Sequence, residues 1–392
     1  MNDNYILMHK KDACGIVAID HDNGALIGAK IKVPQLAPFL GNADERLMKI
    51  WWEHRAVPGS RKDMQAIFRK AGCENSKEYL AKNLALSLTD TYWICPIDAE
   101  LSWDDVNLHN IKLQSRRLAY HNANTYDPNA SLSGEMDKYW DLSGKRPVMI
   151  KRASSAYGQQ SVNEFFASEL HSRQNTTTPF VRYRQTDSED NSILSACDSF
   201  TTEDIEFVPA FEILQSEKTR NNKSGYDKYI DICVRNGIDR EVMQKHMDYM
   251  TLTDFVISNT DRHMYNFGIL RNSETMEFIA PAPIFDSGNS MFYGENGTIP
   301  LGRKELLSLK INSFHKTEEK MLTHIKDKNA LKYDVLPKKE TVMRFYESYG
   351  IPKERAAFIS GSYANKLELL NDFLRGEKIS LYYDRHKYKP VL

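Results

Sequence analysis

Three oxygen-bearing side chains follow one another in an order that suits metal-assisted phosphate transfer. Asp261 precedes Asn266 by five residues, and Asp286 follows Asn266 by twenty, within Asp286-Ser287-Gly288. Phosphate transfer needs a carboxylate that orients or accepts the proton of the attacking hydroxyl, and oxygen ligands that hold Mg²⁺ on the phosphates. The pattern therefore predicts Asp261 as the catalytic carboxylate, and Asn266 and Asp286 as metal ligands.

Each member of this set also has an ordinary structural interpretation. Asp261 could cap a helix or turn, and Asp286-Ser287-Gly288 could be a plain β-turn, because these residue types are common in turns for local reasons. The combination in this order, with a predicted hairpin between Asn266 and Asp286, favours the catalytic interpretation.

A nucleotide site also needs a cation near the phosphates. Lys151 ends the predicted buried strand 147–151, and Glu164 lies on the helix predicted over 159–173, so the two can form an ion pair that positions the lysine. The alternatives are a solvent-exposed lysine at a strand end and Glu169 as its partner. Upstream, residues 131–138 contain one glycine, Gly134, and are either a simple turn or a phosphate-contacting loop.

The elements that must position these residues divide the chain into three regions. We expect an N-terminal α/β domain over 1–125, a β-rich lobe over 126–212 and a helical lobe over 213–392, with the first boundary in the polar stretch 121–130. The fold class is α+β. The predicted elements are a hairpin over 13–31 around Asp22-Asn23-Gly24; helices over 43–54, 60–70 and 76–86; strands over 192–196 and 205–208; a helix over 239–258; a hairpin pairing 267–270 with 276–279; and helices through most of 313–376, broken at Gly350-Ile351-Pro352.

Composition excludes several classes of protein. A net charge of -1 over 392 residues argues against a broad nucleic-acid footprint, and no stretch is apolar enough for a membrane span. The five scattered cysteines form no metal-binding or disulfide framework and fit a reducing compartment. Since the N-terminus also lacks the pattern of a secretory signal, we expect a cytoplasmic protein.

In this order, the residues resemble the HipA family of serine/threonine protein kinases, the toxin half of bacterial toxin–antitoxin pairs. The resemblance runs from Ser131 to the C-terminus and is sharpest at 259–270 and 285–288. It implies a bilobal protein-kinase-like fold, ATP and Mg²⁺ as cofactors, a protein substrate and an antitoxin protein as a partner. It further implies the following roles: Asp261 as the catalytic Asp with His263 matching the same motif, Asn266 and Asp286 on Mg²⁺, Lys151 on the ATP phosphates, Asp198 and Phe200 in the adenine-binding hinge, and Ser131, Ser133 and Gly134 in a phosphate loop where serine autophosphorylation silences the kinase.

Two other functions remain open on the sequence. A small-molecule or lipid kinase would use the same fold, because fold does not fix substrate. A non-catalytic binding scaffold is the other: residues 60–86 resemble a helix–turn–helix. Its basic residues are Lys62, Arg69, Lys70, Lys77 and Lys82.

Overall fold

The computed structural model describes residues 2–110, 126–153, 156–186, 188, 192–218 and 223–381. Within them the chain is a mixed α/β protein with three antiparallel sheets, which confirms the mixed content predicted from the sequence. The predicted boundary at residue 125 lies outside the described residues. No described helix has the length and apolarity that crossing a bilayer requires.

The first sheet belongs to the N-terminal region and has the strand order β3-β2-β1-β4. Its strands are β1 (Asn2–His9), β2 (Asp12–Asp20), β3 (Leu26–Ile31) and β4 (Tyr92–Pro96). The predicted hairpin is therefore present as β2 and β3, and Gly24 adopts a left-handed φ of 68° in the turn between them.

Four helices accompany this sheet within residues 2–110. They are α1 (Glu45–Arg55), α2 (Met64–Ala71), α3 (Ser76–Lys82) and the short α4 (Trp103–Val106). Asp44 caps α1 by accepting a hydrogen bond from Leu47 N at 2.7 Å. Trp52 on α1 is fully buried, and its indole donates to the carbonyl of Gly24, which fixes α1 against the β2–β3 turn.

The described part of the predicted linker is packed rather than free. Residues 128–131 form a 3₁₀ helix. Ala130 is buried in a small core with α2 and α3, where it meets Val57 and Phe68, while Tyr126 packs in the main core of the N-terminal sheet. The polar composition of this stretch reflects its capping contacts: Asp127 accepts hydrogen bonds from the amide of Asn129 and the hydroxyl of Tyr79.

The second sheet has the order β5-β6-β8-β7 and is flanked by a long helix. These elements are β5 (Asp137–Asp141), β6 (Val148–Arg152), β7 (Arg184–Thr186), β8 (Leu194–Asp198) and helix α5 (Gln159–Gln174). Lys151 lies opposite Lys138 on β5 and Ser195 on β8, so it occupies one of the two central strands of the sheet.

The third sheet joins this region to the helical part of the chain. It has the order β11-β10-β9, formed by β9 (Ile205–Pro209), β10 (Gly268–Asn272) and β11 (Phe278–Pro281). The predicted hairpin is present as β10 and β11, with Leu270 opposite Ala280. Because β9 and β10 are also paired, the residues before β10 are held beside the second sheet.

The helices that follow form the largest apolar core. They are α6 (Ala210–Gln215), α7 (Gly225–Arg235), α8 (Arg240–Ile257), α9 (Arg303–Ser308), α10 (Glu318–Leu322), α11 (Lys339–Ser348) and α12 (Lys353–Leu374). Helix α8 matches the predicted helix over 239–258, and its Met243, Met247 and Met250 are buried as core residues. Helices α10, α11 and α12 lie within the stretch 313–376 that was predicted to be mostly helical, and the predicted break at Gly350-Ile351-Pro352 lies between α11 and α12. A second break, which was not predicted, lies between α10 and α11, where the chain forms turns and 3₁₀ segments.

Candidate active site

A cavity of about 640 Å³ lies where the second sheet, the third sheet and the N-terminal region meet. One wall comes from β6, β8 and the segment around Asp286, and the other from α1, α6 and the loop after α8. Most of the residues singled out in the sequence line this cavity. They are Ser131, Ser133, Gly134, Lys151, Asp198, Phe200, His263, Asn266 and Asp286.

Lys151 is the charged centre of the first wall. Its ammonium donates to Glu164 Oε1 at 2.8 Å and to Asp286 Oδ1 at 2.6 Å, so the pairing partner on α5 is Glu164 and not Glu169, which pairs instead with Arg173. Glu164 is itself held in place, because its other carboxylate oxygen accepts a hydrogen bond from the amide of Ser287 at 2.9 Å. Strand β6, helix α5 and the Asp286 segment are thus joined at one buried cation.

The charges of Lys151 and Asp286 at this junction are maintained by neighbouring groups. Burial acts to lower the pKa of Lys151, but the carboxylates of Asp286 and Glu164 raise it well above its ordinary value. Burial opposes ionisation of Asp286 as well, yet Lys151 and Lys138 hold the pKa of Asp286 well below its usual range. Asp286 is therefore an anion that remains 30% exposed toward the cavity.

The loop after α8 is organised by Arg262, a residue that the sequence analysis did not single out. Its guanidinium makes a two-pronged ion pair with Asp254 on α8, both contacts at 2.9 Å. The same group donates to the carbonyl of Asn266 at 2.9 Å and to the carbonyl of Phe285. One buried arginine consequently ties the Asp261–Asn266 loop to the residue that precedes Asp286.

Asp261 is held by two asparagines that lie far from it in sequence. Its Oδ2 accepts a hydrogen bond from Asn289 Nδ2 at 2.9 Å, and its Oδ1 lies 3.4 Å from Asn312 Nδ2. Asn289 is oriented in turn by Gln160 on α5, whose amide donates to Asn289 Oδ1 at 3.0 Å. These contacts fix the direction of the Asp261 carboxylate. Because Asn312 lines the cavity, its contact with Asp261 places the carboxylate at the edge of the cavity.

Asn266 and Asp286 fit a Mg²⁺ site by the chemistry of their oxygens. The Asn266 amide nitrogen donates to the carbonyl of Asp261 at 3.0 Å, and its Oδ1 has no hydrogen-bond partner among the described residues. Asp286 Oδ2 is likewise without a donor in that part of the chain, since Lys151 contacts Oδ1. The described residues contain no group of three acidic, histidine or cysteine ligands. Two protein oxygens suit Mg²⁺, which binds mainly through substrate phosphates and water.

Residues 131–138 border the same cavity. Gly134 has a φ of 86°, a backbone conformation that glycine adopts without strain. A Cβ at this position would lie 3.1 Å from Lys138 Nζ, so the lysine passes directly over the glycine. Burial lowers the pKa of Lys138 to about 8 although Asp286 acts in the opposite sense. Lys138 is a second cation of this wall, and the sequence analysis did not assign it.

The two predicted hinge residues both line the cavity, but their side chains make different contacts. The Asp198 carboxylate faces outward and pairs with Arg184 at 2.9 Å, with both side chains more than half exposed. Phe200 packs against Phe207 and Phe285, with ring centroids 5.7 and 5.4 Å apart. Phe200 thus offers an apolar surface to the cavity, which Asp198 also lines.

Comparison with known protein families decides the relationship of the chain. The family model "HipA-like C-terminal domain" matches residues 129–364, which is more than half of the sequence. The chain belongs to the HipA-like kinase family. The match begins at the phosphate-loop segment and includes Lys151, Glu164, Asp261, Asn266 and Asp286, so the geometry described above lies inside the HipA-like part of the chain.

Comparisons with single proteins find similarity to a kinase named CtkA. The serine/threonine-protein kinase CtkA of Helicobacter pylori strain J99 is 34% identical over 107 residues, which is 26% of this chain and 32% of that protein. The aligned stretch therefore spans about a third of the relative. The crystal structure of the H. pylori proinflammatory kinase CtkA matches with a TM-score of 0.39 and 17% identity, covering 61% of this chain and 94% of that one.

Several residues of the HipA-like site were missed by sequence reasoning. Arg262 lies next to Asp261 within 259–270, one of the two stretches where the family resemblance is sharpest, and that position was the available signal. Asn289 follows the Asp286-Ser287-Gly288 turn directly, but nothing local indicates that its amide reaches Asp261. Tyr183 carried no signal: its hydroxyl accepts from Lys151 at 3.2 Å and from the amide of Asp286 at 3.3 Å. His263 was predicted as catalytic, and its imidazole accepts a hydrogen bond from the amide of Tyr265.

Proposed function

We propose that this chain is an ATP- and Mg²⁺-dependent serine/threonine protein kinase of HipA type, with the two lobes of a protein-kinase-like fold. The observation that supports this most strongly is the convergence of Lys151, Glu164 and Asp286 on one wall of the cavity, beside the Asp261–Asn266 loop. A buried lysine between two carboxylates, one on a helix and one in a loop, is the arrangement that protein kinases use to place a triphosphate.

Each residue has a defined part in this proposal. Lys151 and Lys138 bind the anionic phosphates, and Phe200 packs against the adenine ring. Asp261, directed by Asn289, orients the hydroxyl of the acceptor and accepts its proton. Asn266 and Asp286 would hold Mg²⁺, which neutralises negative charge on the phosphates when it is bound. The rate then depends on placement and on electrostatics, since the protein forms no covalent bond with the phosphate.

The test is incubation of the purified chain with Mg²⁺ and γ-labelled ATP, followed by mass mapping of labelled sites. We expect label on serine or threonine in the wild type and none above background in Asp286→Ala, because that variant loses both a proposed metal ligand and the partner of Lys151. Labelling of Asp286→Ala at the wild-type level, or a folded wild type that does not bind ATP, would contradict the proposal.

We further propose autophosphorylation in the loop, at Ser133 rather than Ser131. The Ser133 side chain is exposed and its hydroxyl makes no hydrogen bond to the described residues, whereas the Ser131 hydroxyl donates to the carbonyl of Pro128 at 3.3 Å. A hydroxyl that is free to enter the site is the better acceptor. We expect Ser133→Ala to incorporate at most about a tenth of the phosphate that the wild type incorporates, since positioning dominates such reactions.

Ser131→Ala is the matched control for this prediction, because it removes a hydroxyl two residues away. It should incorporate phosphate at the wild-type level. Equal labelling of wild type and Ser133→Ala, with phosphate found on Ser131, would show that the loop opens before the reaction and that the free hydroxyl is not selected.

A role as the toxin of a toxin–antitoxin pair belongs to the same proposal. It requires that a protein substrate be phosphorylated in the cell and that an antitoxin protein bind the kinase. Cells that express the wild type should lose colony formation, and cells that express Asp261→Asn should not. Normal colony formation by cells that express a fully active wild type would contradict the toxin role and leave the kinase activity standing.

A small-molecule acceptor is the second candidate, and the shape of the cavity favours it. Beyond the nucleotide wall the cavity continues between α1 and α6, where the rings of His54 and Phe211 lie 4.6 and 4.8 Å from the ring of Tyr265. Burial raises the pKa of the neighbouring Glu212 to about 7. A recess walled by rings with one buried carboxyl is the kind of site that takes a small ligand. ATP consumption that depends on an added metabolite, without labelled protein, would favour this candidate.

A further inference from the structure

Arg61 reaches from the N-terminal region into the phosphate loop of the kinase part. It lies between α1 and α2 and is 6% exposed. Its Nη2 donates to the carbonyls of Leu132 at 2.6 Å and Ser133 at 2.8 Å, and its Nε donates to the carbonyl of Gly134 at 2.8 Å. Three consecutive carbonyls of the loop thus accept hydrogen bonds from a single guanidinium.

The guanidinium and the loop depend on each other. Arg61 forms no ion pair in the described part of the chain, and burial lowers its pKa to about 10. A buried cation is tolerated only when its donors are satisfied. Here the loop carbonyls, together with the carbonyl of Lys138 at 3.5 Å, satisfy them. A loop that moved outward would leave the charge of Arg61 without its acceptors, so Arg61 favours the inward position.

Contacts on both sides of Arg61 reinforce the same attachment. The amide of Val57 donates to the carbonyl of Ala130 at 3.0 Å, before the loop, and the Ser60 hydroxyl donates to the Glu135 carboxylate at 2.6 Å, after it. Ala130 also packs with Val57 in a small core formed with α2 and α3. The segment is therefore fixed to the N-terminal region at its start, at its centre and at its end.

The direction of the loop carbonyls decides what the loop presents to the cavity. In a planar trans peptide the N–H points opposite to the preceding C=O. Because the carbonyls of Leu132 and Ser133 point to Arg61, the amides of Ser133 and Gly134 point away from it. Neither amide has an acceptor among the described residues, and both residues line the cavity with Lys138, Lys151 and Asp286. These amides are available to the oxygens of a phosphate.

We propose that Arg61 is a positioning residue for nucleotide binding, which fixes the phosphate loop from the N-terminal region and makes that region a working part of the nucleotide site. The inference rests on the proposed function in one respect, namely that the ligand is a nucleoside triphosphate. It assigns a role to a residue outside the HipA-like segment 129–364.

The experiment compares the binding of ATP with Mg²⁺ and the binding of adenosine, each measured by calorimetry on the full chain. Adenosine has no phosphates, so its affinity should not depend on the loop. We expect Arg61→Ala to weaken ATP binding about tenfold or more, the loss typical of several charge-assisted contacts, and to leave adenosine binding unchanged. Arg61→Lys keeps the charge but lacks the planar guanidinium, and its affinity for ATP should fall between that of the wild type and that of Arg61→Ala.

The matched control is Arg69→Ala, an exposed arginine on α2 that should bind both ligands like the wild type. Arg61→Lys keeps the test valid if Arg61→Ala does not fold. Wild-type ATP affinity in folded Arg61 variants would overturn the inference, as would an equal loss of ATP and adenosine binding, which indicates a general structural role. A wild type that binds neither ligand would refute the proposed function itself, and these results are distinguishable.

Discussion

The Asp261→Asn variant is expected to transfer phosphate about 10³-fold more slowly than the wild type, because it loses the group that accepts the proton of the acceptor. Its affinity for ATP should remain near the wild-type value, since the Asp261 carboxylate contacts Asn289 and Asn312, and the contact with Asn266 is made by the Asp261 backbone carbonyl, which the substitution keeps. Single-turnover labelling measures the first quantity and calorimetry the second. A large drop in rate without a drop in affinity is the signature of an interaction made only in the transition state.

The substitution tests chemistry with little structural change. Asparagine has the shape of aspartate, and its amide oxygen can take the place of Asp261 Oδ2 and accept the same hydrogen bond from Asn289. Asp334→Asn, at an exposed position remote from the cavity, is the matched control and should react at the wild-type rate. If Asp261→Asn retained more than about a tenth of the rate, Asp261 would not act as a general base, and the geometry around it would serve binding alone.

The proximity of the candidate site residues could be anticipated because its signals are local in sequence. The loop that holds Asp261 and Asn266 follows a single long helix and precedes a hairpin, so the order of elements limits where these groups can lie. Strand β6 and helix α5 likewise follow each other directly, which brings Glu164 within reach of Lys151. In each case a short connection between adjacent elements converts spacing in the sequence into proximity in space.

Contacts between distant segments could not be anticipated in the same way. Asn289 lies 28 residues from Asp261, and Arg61 lies 73 residues from Gly134. Neither residue carries a periodic or turn signal that indicates its partner. Both roles arise only when segments distant in sequence pack together in the tertiary structure. The fixed conformation of the phosphate loop is therefore a property of the tertiary structure, although the loop itself was recognisable from a few residues.

The region between α10 and α11 shows a different reason for failure. The predicted helical stretch 313–376 was given one break, at Gly350-Ile351-Pro352, and not this one. Here Asp248 on α8 accepts hydrogen bonds from the amides of Lys326 and Asp327, and the Asp327 side chain accepts one from the amide of Asn329. A carboxylate that binds backbone amides satisfies groups that a helix would otherwise pair. The chain there follows the surface of α8 in turns, and helical propensity is overridden by these contacts.

The Glu206→Gln variant is expected to lose about 3–5 kcal/mol of the free energy of unfolding, the usual cost of removing one partner from a buried ion pair. Glu206 is fully buried on β9, where it pairs with Arg271 on β10 at 2.6 Å. It also accepts hydrogen bonds from His9 at 3.2 Å and the Thr91 hydroxyl at 3.1 Å, both in the N-terminal region. Glutamine keeps the shape but leaves the Arg271 charge uncompensated. Urea denaturation measures the change.

The pH dependence of this difference provides an independent check. Burial acts to raise the pKa of Glu206, but Arg271 and His9 hold it well below its ordinary value. A carboxyl with a depressed pKa in the folded state stabilises the protein above its unfolded pKa and loses that contribution as the pH falls. The gap between wild type and Glu206→Gln should therefore be full at pH 7 and shrink below about pH 4, near the ordinary pKa of glutamate.

Glu217→Gln is the matched control, since Glu217 pairs with Arg235 at 2.9 Å on the surface, where the two side chains are 42% and 57% exposed. A pair of this kind contributes about 0.2–1 kcal/mol, because water and salt screen it. A loss of similar size for Glu206→Gln, or one that does not change with pH, would show that apolar packing and not this charge network joins the N-terminal sheet to β9 and β10. The stability of the junction matters for function, because the same N-terminal region carries Arg61 to the phosphate loop.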